Sequence, residues 1–303
     1  MAQMVGEVGS AQRPFSAPVV ARDTAAVDQY RADWQPRATP MLPTAATIQP
    51  SGSPAHADPL RAHRNALLAA DVYGADPAPP GGTRVAGDAD LRRLGLTADM
   101  LEQPGQTSFR ARVYVSDEAG HERYTIAFRG TENGSDWKAN VRQGTGQESI
   151  HYGNALAIGR QIARSGADVE MTGHSLGGGL ASAAALASGR HADTFNAAGL
   201  HDTTLTGANR IARGAGQGTG AVDNYRVPGE ILTFVQEGGD RVAGAVLGGV
   251  LGAMVVDAPP AYGRQHDLDL VVPAGKGWFA EHSRIDRHGM DWVLAATAPR
   301  AGR

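Results

Sequence analysis

Gly173-His174-Ser175-Leu176-Gly177 joins a β-prone run, Asp168 to Thr172, to an Ala-rich segment, Leu180 to Ser188. A strand that turns sharply into a helix needs neighbours without side chains at the corner, and it leaves the corner residue strained and clear of the backbone. Gly173 and Gly177 supply those positions, so Ser175 is the candidate nucleophile. It stands at the positive end of the following helix, where the Leu176 N–H can bind a developing oxyanion. A serine hydroxyl is a poor nucleophile at its own pKa. It needs an imidazole base and a carboxylate that holds the productive tautomer.

Those partners must come from elements that end beside Ser175. From Pro59, the run Leu60 to Tyr73 has helical spacing and stops at Gly74, and a Pro/Gly loop follows from Pro77 to Gly82. Phe109 to Val115 and Glu122 to Phe128 alternate about an Asp117 to Gly120 turn and predict a hairpin. A helical stretch, His151 to Arg164, leads to the nucleophile strand; Ala192 to Asn196, Asp223 to Val227 and Asp267 to Val272 are further strands. Strands alternating with helices imply a mostly parallel α/β sheet flanked by helices. With the elbow, this is the α/β-hydrolase arrangement, in which the chain order is Ser, then Asp or Glu, then His.

That order directs the search. Asp223 to Val227 is the second strand after the nucleophile strand and runs into Pro228-Gly229-Glu230, so Glu230 is the expected acid, with Asp240 and Asp257 as alternatives. His288 lies where a loop meets the terminal helix and can turn its ring over the sheet edge; it is the expected base, with His282 as the alternative. His174 reads as a packing residue. Ile126 to Thr131 gives a strand ending in a small polar residue, so the Thr131 N–H is a second oxyanion donor, while Asp136 alone would serve equally as a helix cap.

Composition removes other classes. The 303 residues carry 28 basic and 31 acidic side chains, a formal net of −3, which leaves no electrostatic footprint for nucleic acid. There is no cysteine, hence no disulfide, thiolate metal site or cysteine nucleophile. No His/Asp/Glu cluster has metal-ligand spacing, and no cofactor is implied. Gly214 to Gly220 mimics a nucleotide loop but lacks a P-loop lysine and reads as a flexible linker. Residues 1–57 are rich in Pro, Ala, Ser and Thr without apolar periodicity and read as a flexible N-terminal arm, with the catalytic domain at 58–303. The first residues lack a basic stretch followed by an apolar core, so synthesis in the cytoplasm without a Sec signal peptide is expected. Val242 to Val256 has no charge and a Gly244, Gly248, Gly252 spacing; it is too short to span a bilayer and reads as a lid or a contact with a membrane surface, or else as a core helix.

Phe128-Arg-Gly-Thr131 with Asp136-Trp137, followed by the Gly173 to Gly179 elbow, resembles the class three lipases within the α/β-hydrolases. A closer similarity is to bacterial phospholipase effectors of that superfamily, delivered by type VI or related secretion systems. It is carried by Asp136-Trp137-Lys138-Ala-Asn140, Gln143 to Gly146, Thr194 to Gly199, Val227-Pro-Gly-Glu230 and His288-Gly-Met-Asp-Trp, across roughly Pro59 to Ala296. The resemblance implies a serine lipase or phospholipase with Ser175 as nucleophile, Thr131 at the oxyanion, His288 as base and Glu230 where Asp is common. It also implies a phospholipid substrate, secretion or translocation into target cells, and an immunity protein and a secretion-machine component as partners. A soluble-ester carboxylesterase and an inactive hydrolase fold used for binding are the alternatives.

Overall fold

The computed structural model describes residues 58–74, 79–80, 82–103, 108–118, 120–130, 144–236 and 259–299. In chain order the elements are α1 (Pro59–Asp71), β1 (Arg84–Val85), α2 (Asp88–Leu94), α3 (Ala98–Leu101), β2 (Ala111–Glu118), β3 (His121–Phe128), α4 (Gly144–Ser165), β4 (Val169–His174), α5 (Leu176–Ser188), β5 (His191–Phe195), α6 (Asp202–Gly214), β6 (Ala221–Arg226), α7 (Ile231–Gln236), β7 (Arg264–Asp267), α8 (Trp278–Glu281), a 3₁₀ turn (Asp286–His288) and α9 (Met290–Thr297). The seven strands lie side by side in sequence order; β1, β2 and β3 pair antiparallel, and β3 through β7 pair parallel.

Period-2 alternation assigns the two faces of this sheet. Val113, Val115, Ile126, Phe128 and Met171 point to one side, where they bury against α4, α5 and α6. Tyr114 and Ala127 point to the other side, with Leu68 and Val72 at the end of the first helix; Phe195 and Tyr225 meet Ala62, Ala66 and Ala69 of α1 and Trp292 and Val293 of α9. Successive crossovers of one hand, in one direction along the sheet, put their helices on one face, which leaves the other to the two terminal helices. The alternating helices and strands thus build the mostly parallel sheet that the sequence implies.

The register positions the site. Phe128 pairs with Gly173, His174 with Phe195, Phe195 with Tyr225, and Arg226 with Asp267, so neighbouring strands stop within about a residue of one another. The residues that follow these ends form one row along the C-terminal edge of the sheet.

Several expected elements move. The last strand is Arg264–Asp267, not Asp267 to Val272: its partner β6 stops at Arg226, and after the Leu268 N–H bonds the Arg226 carbonyl the chain passes the sheet edge. Leu270 and Val272, whose alternation resembles a strand, are exposed loop residues. The helix before β4 starts at Gly144, seven residues before His151, and α6 occupies a stretch to which the sequence assigns no element. Gly214 ends α6, and residues 215–220 connect it to β6, with open space around Gly216 and Gly218 but not Gly220. A Cβ on Gly220 would stand 2.2 Å from the Ala185 carbonyl oxygen. The N-terminal arm and Val242 to Val256 lie outside the described residues.

Candidate active site

Ser175 stands between the end of β4 and the start of α5 with φ 58° and ψ −127°. A non-glycine residue at positive φ costs on the order of 1–3 kcal/mol, and the surrounding backbone holds it there. The Ser175 N–H donates to the Phe195 carbonyl at 3.1 Å, and the Ser175 carbonyl accepts from Gly178, Gly179 and Ala198 at 3.0, 3.3 and 3.0 Å. The flanking glycines are dictated by space. A Cβ on Gly173 would lie 2.3 Å from the Gly177 carbonyl oxygen, and one on Gly177 would lie 2.2 Å from that of Phe128. Leu176 opens the helix, so its N–H is among the first-turn donors that have no intrahelical acceptor.

One strand beyond β5, β6 ends at Arg226 and the chain turns through Val227-Pro228-Gly229-Glu230. Gly229 has φ 71° and the Glu230 N–H donates to the Val227 carbonyl at 3.2 Å, the type II arrangement that Pro-Gly favours. The turn delivers Glu230, fully buried, to the N-terminus of α7. Its carboxylate accepts the Leu232 N–H at 2.9 Å and the Thr233 N–H at 2.5 Å, as an N-cap does, and lies 2.7 Å from Nδ1 of His288. Burial pushes the Glu230 pKa up. The hydrogen bond and charge of His288, with the Thr233 hydroxyl and amide, outweigh this and hold it below the usual range, so the carboxylate is ionised at neutral pH.

His288 ends the 3₁₀ turn just before α9. Asp286 anchors that turn by accepting from the Trp292 indole at 2.8 Å and from Lys276 at 2.6 Å. Arg287 ties it to the acid's turn, donating to the carbonyls of Glu281 at 2.6 Å and Pro228 at 3.0 Å. With Nδ1–H directed at ionised Glu230, the lone pair of Nε2 faces the Ser175 hydroxyl at 3.0 Å. Ser175, His288 and Glu230 therefore stand in line, with the imidazole on the hydroxyl and the carboxylate on the imidazole.

Of the residues expected from sequence, Ser175, Glu230 and His288 meet, and Leu176 adjoins them. His282 does not: it is exposed, stacks on Trp278 at 4.2 Å between ring centroids and lies 2.8 Å from the Trp278 carbonyl of its own turn. Thr131, Asp136, Asp240 and Asp257 lie outside the described residues. His174, read from sequence as packing, belongs instead to a hydrogen-bonded network with Tyr73 and Asn196, to which no motif pointed. The fold also gathers Glu170, His191 and Asp193, which no sequence spacing suggests as metal ligands. The Arg61 guanidinium lies 2.9 Å from Asp193 and 3.5 Å from Asp223, so a cation from the chain already balances this group.

A family model described as a Tle-like phospholipase domain matches residues 64–274. The chain belongs to this family. It is 37% identical over 184 residues to the extracellular phospholipase A1 of Serratia liquefaciens, across 60% of this chain and 56% of that relative, so it spans little more than half the relative's length. Among solved structures it is similar to the Lip2 lipase of Yarrowia lipolytica, with a TM-score of 0.43 and 13% identity over 77% of this chain and 93% of the other. No helix among the described residues is long and apolar enough to cross a membrane.

Proposed function

We propose that this member of the phospholipase family hydrolyses a carboxylic ester of phospholipids through Ser175, His288 and Glu230. The observation that carries the proposal is the line from the strained elbow serine, 3.0 Å to His288 Nε2 and 2.7 Å from His288 Nδ1 to a buried, ionised carboxylate. Ser175 Oγ attacks the ester carbonyl carbon while His288 Nε2 takes its proton; the carbonyl oxygen becomes an oxyanion beside the Leu176 N–H, with Thr131 as the second donor. Collapse breaks the bond to the leaving alkoxide, which leaves as the alcohol with the proton from His288. Water, deprotonated by the same nitrogen, then releases the fatty acid and restores Ser175. Glu230 remains ionised throughout and stabilises the imidazolium.

The relative's name supports phospholipase A1 activity outside the producing cell. Delivery to a target cell, with an immunity protein and a secretion component as partners, extends that proposal from the resemblance of the motifs. The test is a phospholipid labelled separately in its two acyl chains, given to the wild type and to Ser175→Ala. Release of the sn-1 fatty acid by the wild type alone is expected, since loss of such a nucleophile costs about a millionfold in kcat in a serine protease. Unchanged turnover by Ser175→Ala would eliminate the mechanism, and turnover of short soluble esters with none on phospholipid would make the protein a carboxylesterase.

A further inference from the structure

The hydrogen bonds of His174 touch neither Ser175 Oγ nor the Glu230 carboxylate, yet they reach the main chain that carries the base. His174 ends β4, is buried, and places its ring 4.8 Å from that of His288. Its Nε2 lies 2.7 Å from the His288 carbonyl oxygen. A carbonyl only accepts, so Nε2 carries the hydrogen and Nδ1 a lone pair. The Tyr73 hydroxyl, 3.4 Å from that Nδ1, accepts the Gly130 N–H at 3.0 Å and has one hydrogen to give, which points to His174. Every link thus has a fixed polarity, from Gly130 N–H through Tyr73 O–H and His174 Nε2–H to the His288 carbonyl.

A second donor meets the same carbonyl. Asn196, just past β5 and at φ 43°, donates its amide to the His288 carbonyl at 3.1 Å, and its side-chain oxygen accepts the Val227 N–H at 2.8 Å. Val227 opens the turn that delivers Glu230. One carbonyl is therefore gripped from two neighbouring strand ends, and one grip continues to the acid.

Resting on the assignment of Ser175, His288 and Glu230 proposed above, we infer that His174 is a positioning residue, kept in its Nε2–H form by Tyr73, that fixes the backbone of His288 so that one imidazole meets nucleophile and acid together. The chain keeps its polarity across the working range. Burial, with the charge of His288, lowers the His174 pKa to about 3, so the ring is neutral, and burial raises that of Tyr73 to about 12, so the hydroxyl keeps its hydrogen.

The experiment compares His174→Gln, His174→Asn and Tyr73→Phe in the full chain on a short soluble ester, with kcat and KM measured separately and a melting curve for each. A glutamine amide nitrogen reaches the place of Nε2 and can still donate to the His288 carbonyl; an asparagine amide reaches only the place of Nδ1. Misplacing a reacting group by about 1 Å costs on the order of a hundredfold. His174→Asn is therefore expected to lose about a hundredfold in kcat with KM unchanged, His174→Gln to recover about tenfold of that loss, and Tyr73→Phe to lose about tenfold. A residue that only packs would give losses that follow melting temperature, with glutamine no better than asparagine, and that ordering would overturn the inference. Should neither His174 variant fold, Tyr73→Phe decides: a fall in kcat at constant KM supports the inference, and wild-type kcat overturns it. If Ser175→Ala still turns over, the triad assignment has failed. If Ser175→Ala is inactive while the His174 and Tyr73 variants match the wild type, only the positioning role has failed.

Discussion

Glu230→Gln removes one charge and no volume from the buried end of the proposed triad. The carboxylate makes three contacts with donors, His288 Nδ1 at 2.7 Å, Leu232 N–H at 2.9 Å and Thr233 N–H at 2.5 Å. Glutamine has one oxygen for these three. If that oxygen takes the place that faces both His288 and the Leu232 N–H, the amide NH₂ confronts the Thr233 N–H, donor against donor, at a stability cost of about 1–3 kcal/mol. If the NH₂ faces His288 instead, Nδ1 must give up its hydrogen to accept, which places the hydrogen on Nε2 and removes the base that faces Ser175. The second arrangement lets the oxygen keep the short Thr233 contact at 2.5 Å and leaves the NH₂ facing the longer Leu232 contact at 2.9 Å, the smaller conflict, so the wrong tautomer is expected to dominate. In a serine protease the corresponding carboxylate-to-amide change costs about ten-thousandfold in kcat through that tautomer. At about 1.4 kcal/mol per factor of ten, this is roughly 5.5 kcal/mol of transition-state stabilisation. Steady-state kinetics on a soluble ester should show kcat lower by about 10³ to 10⁴ with little change in KM, and fluorophosphonate labelling of Ser175 should slow in parallel. The melting temperature should fall by only a few degrees. Activity within tenfold of the wild type would refute Glu230 as the acid, and a matching loss in Asp240→Asn would move that role.

Two other consequences follow from the structure. His174 and His151 are held neutral chiefly by burial, with pKa values lowered to about 3 and about 4, so the folded protein binds fewer protons than the unfolded chain below about pH 6.5. Their stability contribution is full above that pH and is lost as pH falls, by about 1.4 kcal/mol per pH unit for each, so urea midpoints should drop steadily from pH 6.5 to pH 4; equal midpoints at pH 7 and pH 5 would contradict it. His282→Ala should leave ester hydrolysis within about twofold of the wild type, because an exposed ring away from the site is worth about 0.5 kcal/mol; a loss of several hundredfold in kcat would return His282 to the reaction.

The meeting of Ser175, His288 and Glu230 was legible in the sequence for a physical reason that also limits what a sequence reveals. An elbow must be written as Gly-x-Ser-x-Gly because Cβ atoms at Gly173 and Gly177 would strike carbonyl oxygens. A turn that ends on a carboxylate likewise needs Pro228-Gly229 to reverse the chain. Such constraints act between near neighbours and leave a local pattern. Contacts across the sheet do not. Tyr73 meets Gly130 from 57 positions away, and Asn196 meets His288 from 92, so each partner is an ordinary residue in its own segment. The nearest signal was the positive φ that an Asn tolerates just past a strand, and even that would not name its acceptor.

The misplaced last strand has the same origin. Leu268 and Leu270 alternate like a strand, yet whether a strand forms depends on where the neighbour stops, and β6 stops at Arg226. Glu230 also serves the helix beside it. Residue 230 caps α7 as well as orienting His288, and a carboxylate that accepts from Leu232 and Thr233 while touching an imidazole 2.7 Å away must extend past its own backbone to do both. Glu230 is thus fixed by a local cap and His288 by a carbonyl gripped from two strand ends, so the alignment of Ser175, His288 and Glu230 depends on β4, β5 and β6 ending in register along one edge of the sheet.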